Sequence, residues 1–389
     1  MGRAMKHLLV TLVTLLALSA AITHAAEFTP EAIGRVESVP SPHPAHWLVV
    51  HDLAFNHMRE GKLFIVDPAG SGLGDQLRGI LSADFIAGFL TSAERREHYV
   101  IESFHARGGR GGQRTDVVSI YDQATLSVVA EVIIPAKRLT GVPNRFAVAL
   151  IDNDRFLLVY NFTPAQSISV VDLEQRSFLG EIATPGCAFA IPTGERGFSG
   201  LCSDGGMLTV RLDAAGAVAD TSRTAPFNDI ENDAMFEKPA ISGGMAYFPT
   251  FTGNVVPIDL SGAVPAVGQA WSLTTAAERA SGWRPGGAWP AVADDDGNLY
   301  VLMHADGAEG THKNGGDQVW VFDAARGMRK DTIVLDHWGI ALSLSGAVSP
   351  PLIVTTLEGG IDLYDTGSGN LLKTLAIETA TPLLVHGMR

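Results

Sequence analysis

Short stretches in which apolar and polar positions alternate run through the whole chain. Seven of them end on aspartate: LFIVD at Asp67, VVSIYD at Asp122, ISVVD at Asp172, LTVRLD at Asp213, VVPID at Asp259, VWVFD at Asp323 and IDLYD at Asp365. A period of two marks a half-buried strand, and after each aspartate comes a turn-forming stretch and another strand. Successive aspartates lie 41 to 64 residues apart, about 50 on average, which matches one four-stranded propeller blade rather than a short solenoid repeat. A single blade cannot bury both faces, so the pattern predicts an all-β, seven-bladed β-propeller over 47–389. The aspartates are expected to cap the turns between third and fourth strands.

The first blade reads WLVVHD (47–52), KLFIVD (62–67) and QLRGIL (76–81), one strand short of four. The C-terminal TPLLVHG (381–387) is predicted to supply the missing strand, closing the ring by pairing the N- and C-terminal strands and removing exposed edges. The second blade is predicted to open with DFIAGFL (84–90) and the third with RFAVALI (145–151). Three inserts break the strand pattern, at 107–114, 273–287 and 305–316. The middle one should begin as a short helix, with Thr274 or Thr275 as its cap and Glu278 in the capping-box position.

The N-terminus is different. Arg3 and Lys6 precede an apolar run over 8–22 and the small-residue motif Thr23-His24-Ala25-Ala26, the form of an export signal. Fifteen apolar residues fall short of the ~20 needed to span a bilayer, so 1–25 is read as a cleaved signal peptide and the mature chain as exported to the periplasm. Its removal takes the formal charge from −14 to −16, because Arg3 and Lys6 leave with no acid. An acidic chain without a basic stripe excludes nucleic acid as a partner. The Pro-rich stretch 26–46 lacks alternation and is expected to be an irregular arm.

Cys187 and Cys202 are fifteen apart, at hairpin distance in one blade. In an exported chain such a pair is expected to form a disulfide; a metal-binding pair is the alternative, disfavoured because no His sits at ligand spacing. Other stretches invite chemistry and carry plainer readings. The run Arg107 to Arg114 lacks both the Lys-Ser/Thr and the strand-to-helix setting of a phosphate loop, and reads as a flexible loop whose arginines meet a partner's carboxylates. Asp294 to Asn298 lacks the distal Glu of a calcium loop and reads as a turn. His43, His46, His51 and His57 cluster only in sequence, with no carboxylate at a ligand interval. No nucleophile elbow is present. Asn161-Phe162-Thr163 matches a glycosylation acceptor, a pattern too common to carry weight.

Several segments resemble the heavy subunit of the quinoprotein methylamine and aromatic amine dehydrogenases: RGILSADFIAGFL (78–90), Arg114-Thr115-Asp116, LLVYNFTPAQSISVVDLEQRSF (157–178), FPTFTGNVVPIDLSG (248–262) and LTTAAERASGWRPGG (273–287), of which ERASGWRPGG is the most specific. The resemblance implies a seven-bladed heavy subunit without cofactor, a disulfide at Cys187 and Cys202, and assembly as two heavy and two light subunits. It places tryptophan tryptophylquinone on the small light subunit, which oxidises primary amines to aldehyde and ammonia and passes electrons to a blue copper protein of amicyanin or azurin type. No catalytic, cofactor-binding or metal-ligating residue is implied here. One residue is carried over: Phe85, in RGILSADF, matches a phenylalanine at the mouth of the substrate channel, and its plainer reading is an inward strand residue. The stretches 108–113 and 305–316 depart from the family pattern. A self-sufficient propeller hydrolase of lactonase type would need acidic and Asn ligands on inner strands, which here are largely apolar; a non-catalytic binding propeller is the remaining alternative.

Overall fold

The alternating stretches resolve into antiparallel sheets in the computed structural model, which describes residues 37–388 apart from 56, 57, 110 and 142. The export signal, residues 26–36 of the arm, His57 and Arg110 lie outside the described residues. From Ser38 the chain folds as one unit. Its sheets follow one another along the sequence, each running from an innermost to an outermost strand. The second sheet is Gly88–Ser92, Glu97–Gly109, Arg114–Asp122 and Val128–Ile134; the third is Val148–Ile151, Phe156–Asn161, Ser167–Asp172 and Ser177–Ala183. The fourth is Cys187–Thr193, Gly197–Cys202, Met207–Leu212 and Val218–Arg223. A fifth begins with Ala240–Ser242 and has five strands.

The first sheet takes its innermost strand from the other end of the chain. Pro382–Gly387 pairs antiparallel with Leu48–Asp52, with Val50 opposite Val385 and His51 opposite Leu384. The joint is reinforced beyond the ladder, because the Asp52 carboxylate accepts the backbone N–H groups of Ala380 and Thr381 at 2.8 and 2.7 Å.

The expectation of seven separate four-stranded sheets is corrected. Hydrogen bonding gives five sheets of four or five strands and one of eight. The reason is the strand Met328–Leu344, seventeen residues long and unbroken: its first part pairs with Gly316–Asp323 and its last with Leu352–Thr356. The interior is nonetheless layered. Among the described residues, buried apolar side chains form seven clusters, each between neighbouring layers. One of them joins the two ends of the chain, packing Leu48 and Val50 against Ile353, Leu363 and Val385.

Each of the seven aspartates turns back onto its own loop. Their carboxylates accept backbone N–H groups two or three residues on, from Ala69, Thr125, Glu174, Ala215, Ser261, Arg326 and Ser368 respectively. These bonds satisfy donors that the ladder leaves behind where the outermost strand begins. The hydrogen bonds from Thr125 hold Asp122 below the usual carboxylate range, and those from Ser368 do the same for Asp365.

Two predicted inner strands start late. Residues 84–87 form a turn before Gly88–Ser92, and Arg145–Ala147 is a 3-10 turn capped by the Asn144 side chain, which accepts from Phe146 N at 2.8 Å. The end of the arm is pinned to the second sheet by two histidines. His43 Nε2 lies 2.9 Å from His98 Nε2. Pro40 O can only accept, so His43 Nδ1 donates to it, His43 Nε2 accepts from His98, and His98 Nδ1 accepts from the Thr91 hydroxyl. This is the assignment for two neutral rings, which burial favours by lowering the pKa of both. Burial, reinforced by the His43 ring, brings His98 down to about 3, and burial brings His51 down to about 4.

These histidines set the acid stability. Their folded pKa values lie below that of the unfolded chain, so only the unfolded state takes up protons as pH falls below ~6.5. Each group then removes up to ~1.4 kcal/mol per pH unit until its folded value is reached. The urea midpoint should be flat above pH 7 and fall steeply between 6.5 and 5, with the turn aspartates adding a loss only below ~4. Glu102, raised to about 7 by burial, takes up its proton in the folded state over the same window and offsets the loss of about one ring; with Glu102 replaced by Gln, an unchanged midpoint between pH 7 and 5 would show that the buried rings are not neutral. At a single turn, Asp172→Ala should cost ~1–3 kcal/mol and Asp172→Asn less, because Asn keeps the acceptor for Glu174 and Gln175.

Candidate functional site

In each antiparallel sheet the turn between second and third strands and the link to the next sheet fall at one end, and the aspartate turns at the other. All three inserts singled out in the sequence, 107–114, 273–287 and 305–316, therefore open at the end opposite the aspartates. The same end carries Phe85 and the bonded pair Cys187–Cys202, which are register partners across the first two strands of their sheet. Six exposed apolar side chains lie there, Phe55, Met58, Phe104, Phe162, Ile230 and Leu357, each 41% exposed or more, while others line the outermost strands and Val348 projects at the aspartate end. What sets this end apart is that its exposed aromatic residues adjoin the inserts and a depression.

Phe85 is half-buried, sits on the turn 84–87 rather than on a strand, and packs against Phe55 with ring centroids 5.8 Å apart. Its strand reading is thus corrected, and the cause is Arg138. This buried guanidinium donates to Ile86 O at 2.7 Å and pairs with the Asp84 carboxylate on either side of Phe85, while its Nε donates to Ser103 Oγ at 2.8 Å. Asp116 completes the network, accepting from Arg138 N, Ser103 Oγ and Arg114. Burial pushes Asp84 up, against the pull of Arg138. Burial also raises Glu102, on the adjoining strand, to about 7. Arg114, expected to meet a partner's carboxylate, is instead tied to Asp116 of its own strand at 2.6 Å.

A depression of about 640 Å³ lies at the same end, with Phe162 and Ile230 at its lining and the disulfide beside them. Phe251 and His312 stack face to face within it, centroids 4.3 Å apart and planes 8° apart, and Phe236 meets the Phe251 edge. Burial lowers the pKa of both His312 and Lys238, which also line it. The insert 273–287 contains the helix Ala276–Ala280, with Thr275 and Glu278 forming the expected capping box.

The other sequence candidates are placed in structural roles. Asp294 accepts from Asp296 N, Asn298 N and the Tyr300 hydroxyl, as a turn cap does. His43, His46 and His51 diverge: His43 joins His98, His46 reaches Asp67 at 3.3 Å, and His51 is buried in the first sheet. Among the described residues no group of three or more His, Cys, Asp or Glu could hold a metal ion. No helix among them is long and apolar enough to cross a membrane. Sequence reasoning missed Arg138, Phe55 and the Phe251–His312 stack. No local signal marks Arg138, which lies in an ordinary loop stretch, PAKRLTG.

A family model described as methylamine dehydrogenase heavy chain matches residues 45–386. The methylamine dehydrogenase heavy chain of Methylobacillus flagellatus is 27% identical over 371 residues, covering 92% of this chain and 90% of its own length. That of Methylorubrum extorquens is 31% identical over 279 residues, covering 70% and 67%. Among solved structures, a periplasmic gluconolactonase of Pseudomonas aeruginosa covers 88% of this chain and 99% of its own at a TM-score of 0.56 and 15% identity, a likeness of fold alone. With the match running from before the first strand into the last, the chain belongs to the methylamine dehydrogenase heavy-chain family.

Proposed function

We propose that this chain is the cofactor-free heavy subunit of a periplasmic amine dehydrogenase, exported after cleavage of 1–25 and assembled with a quinone-bearing light subunit as two heavy and two light chains. The family match carries the reading. The end bearing Phe85, the exposed aromatic residues and the depression is the docking platform for the light subunit. The seven core clusters support counting the eight-stranded sheet as two blades that share Met328–Leu344, and hence a seven-bladed ring.

Tryptophan tryptophylquinone, held by the light subunit, would supply the two-electron oxidation of a primary amine and water to aldehyde and ammonium, with a blue copper protein of amicyanin or azurin type as the one-electron acceptor. This chain contributes position and exclusion. Phe85, braced by Phe55 and by a turn clamped through Arg138, forms an aromatic wall at the channel mouth that selects amines by size. The clamp matters because an aromatic wall on a loose turn would not discriminate.

The tagged chain from its native source should bring down a small cysteine-rich partner with quinone absorbance, and its own N-terminus should begin at Ala26 or Glu27. Isolation without such a partner would overturn the reading. In the assembled enzyme, Phe85→Ala should raise kcat/KM for bulky amines relative to methylamine by about tenfold or more; an unchanged ratio would remove Phe85 from the channel. Arg138→Ala leaves Asp84 buried without its guanidinium, while Asp116 keeps the backbone N–H of residue 138 and Arg114, and should cost ~3–5 kcal/mol in a urea titration, with Arg138→Lys intermediate.

A further inference from the structure

At the axis of the ring the innermost strands enclose a cavity of about 400 Å³, which the proposed function leaves unused. Its walls are apolar for most of their extent, through residues such as Phe89, Val148, Ile241 and Val292. No Asp or Glu is among its lining residues. Two basic side chains interrupt this lining on one side. The Arg145 guanidinium lies 4.5 Å over the Trp289 ring and donates to Leu342 O at 3.2 Å and Val385 O at 2.9 Å, so its plane is fixed before any ligand arrives. His386, on the C-terminal strand, packs its ring edge-on to Phe89 at 5.1 Å.

His386 Nε2 is buried and has no hydrogen-bond partner among the described residues. Orphaned buried N–H groups are rarer than orphaned acceptors, which assigns the ring proton to Nδ1 and leaves Nε2 as the bare acceptor. Burial, with Arg145 and His51 nearby, holds this histidine well below its ordinary range, so it is neutral as the cavity stands. A negatively charged group in the cavity would find a fixed guanidinium and, on His386, the Nδ1–H rather than the buried Nε2. The apolar remainder of the ligand would find aromatic and aliphatic walls. A volume of 400 Å³ lies within the range of small-molecule sites.

From the convergence of Arg145 and His386 on an otherwise apolar axial cavity, we propose that the ring binds a small monocarboxylate with an apolar body, its carboxylate held by these two side chains. The cavity shares no lining residue with the 640 Å³ depression or with Phe85, and the proposal does not depend on the quinone partner. An ammonium head is refused by the guanidinium, and an alcohol of equal size forgoes the charge-assisted bonds.

The test uses the purified mature chain, with phenylacetate, 2-phenylethanol and 2-phenylethylammonium compared by calorimetry and thermal melting. Phenylacetate is expected to bind and to raise Tm, with the alcohol about tenfold weaker or more and the ammonium silent. Arg145→Gln and His386→Gln should each weaken phenylacetate about tenfold, and Ala149→Phe, which intrudes on the cavity, should abolish it. A shift of the His386 imidazole to higher pKa on binding, read by NMR, separates direct contact from general stabilisation. Should a variant fail to fold, the three-ligand comparison on the wild-type chain decides. Equal binding of all three ligands, or no binding of phenylacetate, overturns the proposal.

Discussion

The pairing of Pro382–Gly387 with Leu48–Asp52 is the constraint on which the rest of the molecule depends. Every layer of this fold buries its apolar faces only against its neighbours, so each of the core clusters needs two sheets in place. Most of those contacts join layers that follow directly in sequence. The cluster of Leu48, Val50, Ile353 and Leu363 joins layers from opposite ends of the chain, and without the C-terminal strand the first sheet would expose a ladder edge beside it. The same strand holds the axial cavity together, since Val385 O receives both Arg145 and the Ser343 hydroxyl.

Strand alternation then divides the molecule into two ends with different tasks. At one end, each turn satisfies its own donors through an aspartate and asks nothing of the rest of the protein. The other end gathers what the repeat does not explain, including the inserts, the disulfide, Phe85 and the exposed Phe55, Phe104 and Phe162. The proposed role, in which this chain lends position rather than chemistry, fits this division, because function is commonly carried on loops held by a rigid scaffold.

Features governed by a few neighbouring residues could be read from the sequence. The aspartate turns, the Thr275–Glu278 capping box and the hairpin that apposes Cys187 and Cys202 each follow from short spacings. The C-terminal strand was legible for a different reason, since counting strands left the first blade one short. What escaped depends on contacts between distant residues. The plainer reading of Phe85, an inward strand residue in DFIAGFL, fails because Arg138, 53 positions on, draws Asp84 and Ile86 O out of the ladder. The His43–His98 pair spans 55 positions, and nothing near either residue announces it. The continuous run Met328–Leu344 is not announced in the sequence either, because a period of two shows where strands alternate and not where a ladder is shared.

Shortening the chain tests the ring most directly. A protein ending at Ala380 lacks the strand that ties the two ends, and its unfolding can be followed by circular dichroism with and without a synthetic peptide spanning residues 381–388. The account predicts a broad, early transition for the shortened chain and recovery of a sharp one when the peptide is added. A shortened chain that melts sharply at the temperature of the intact protein would contradict it.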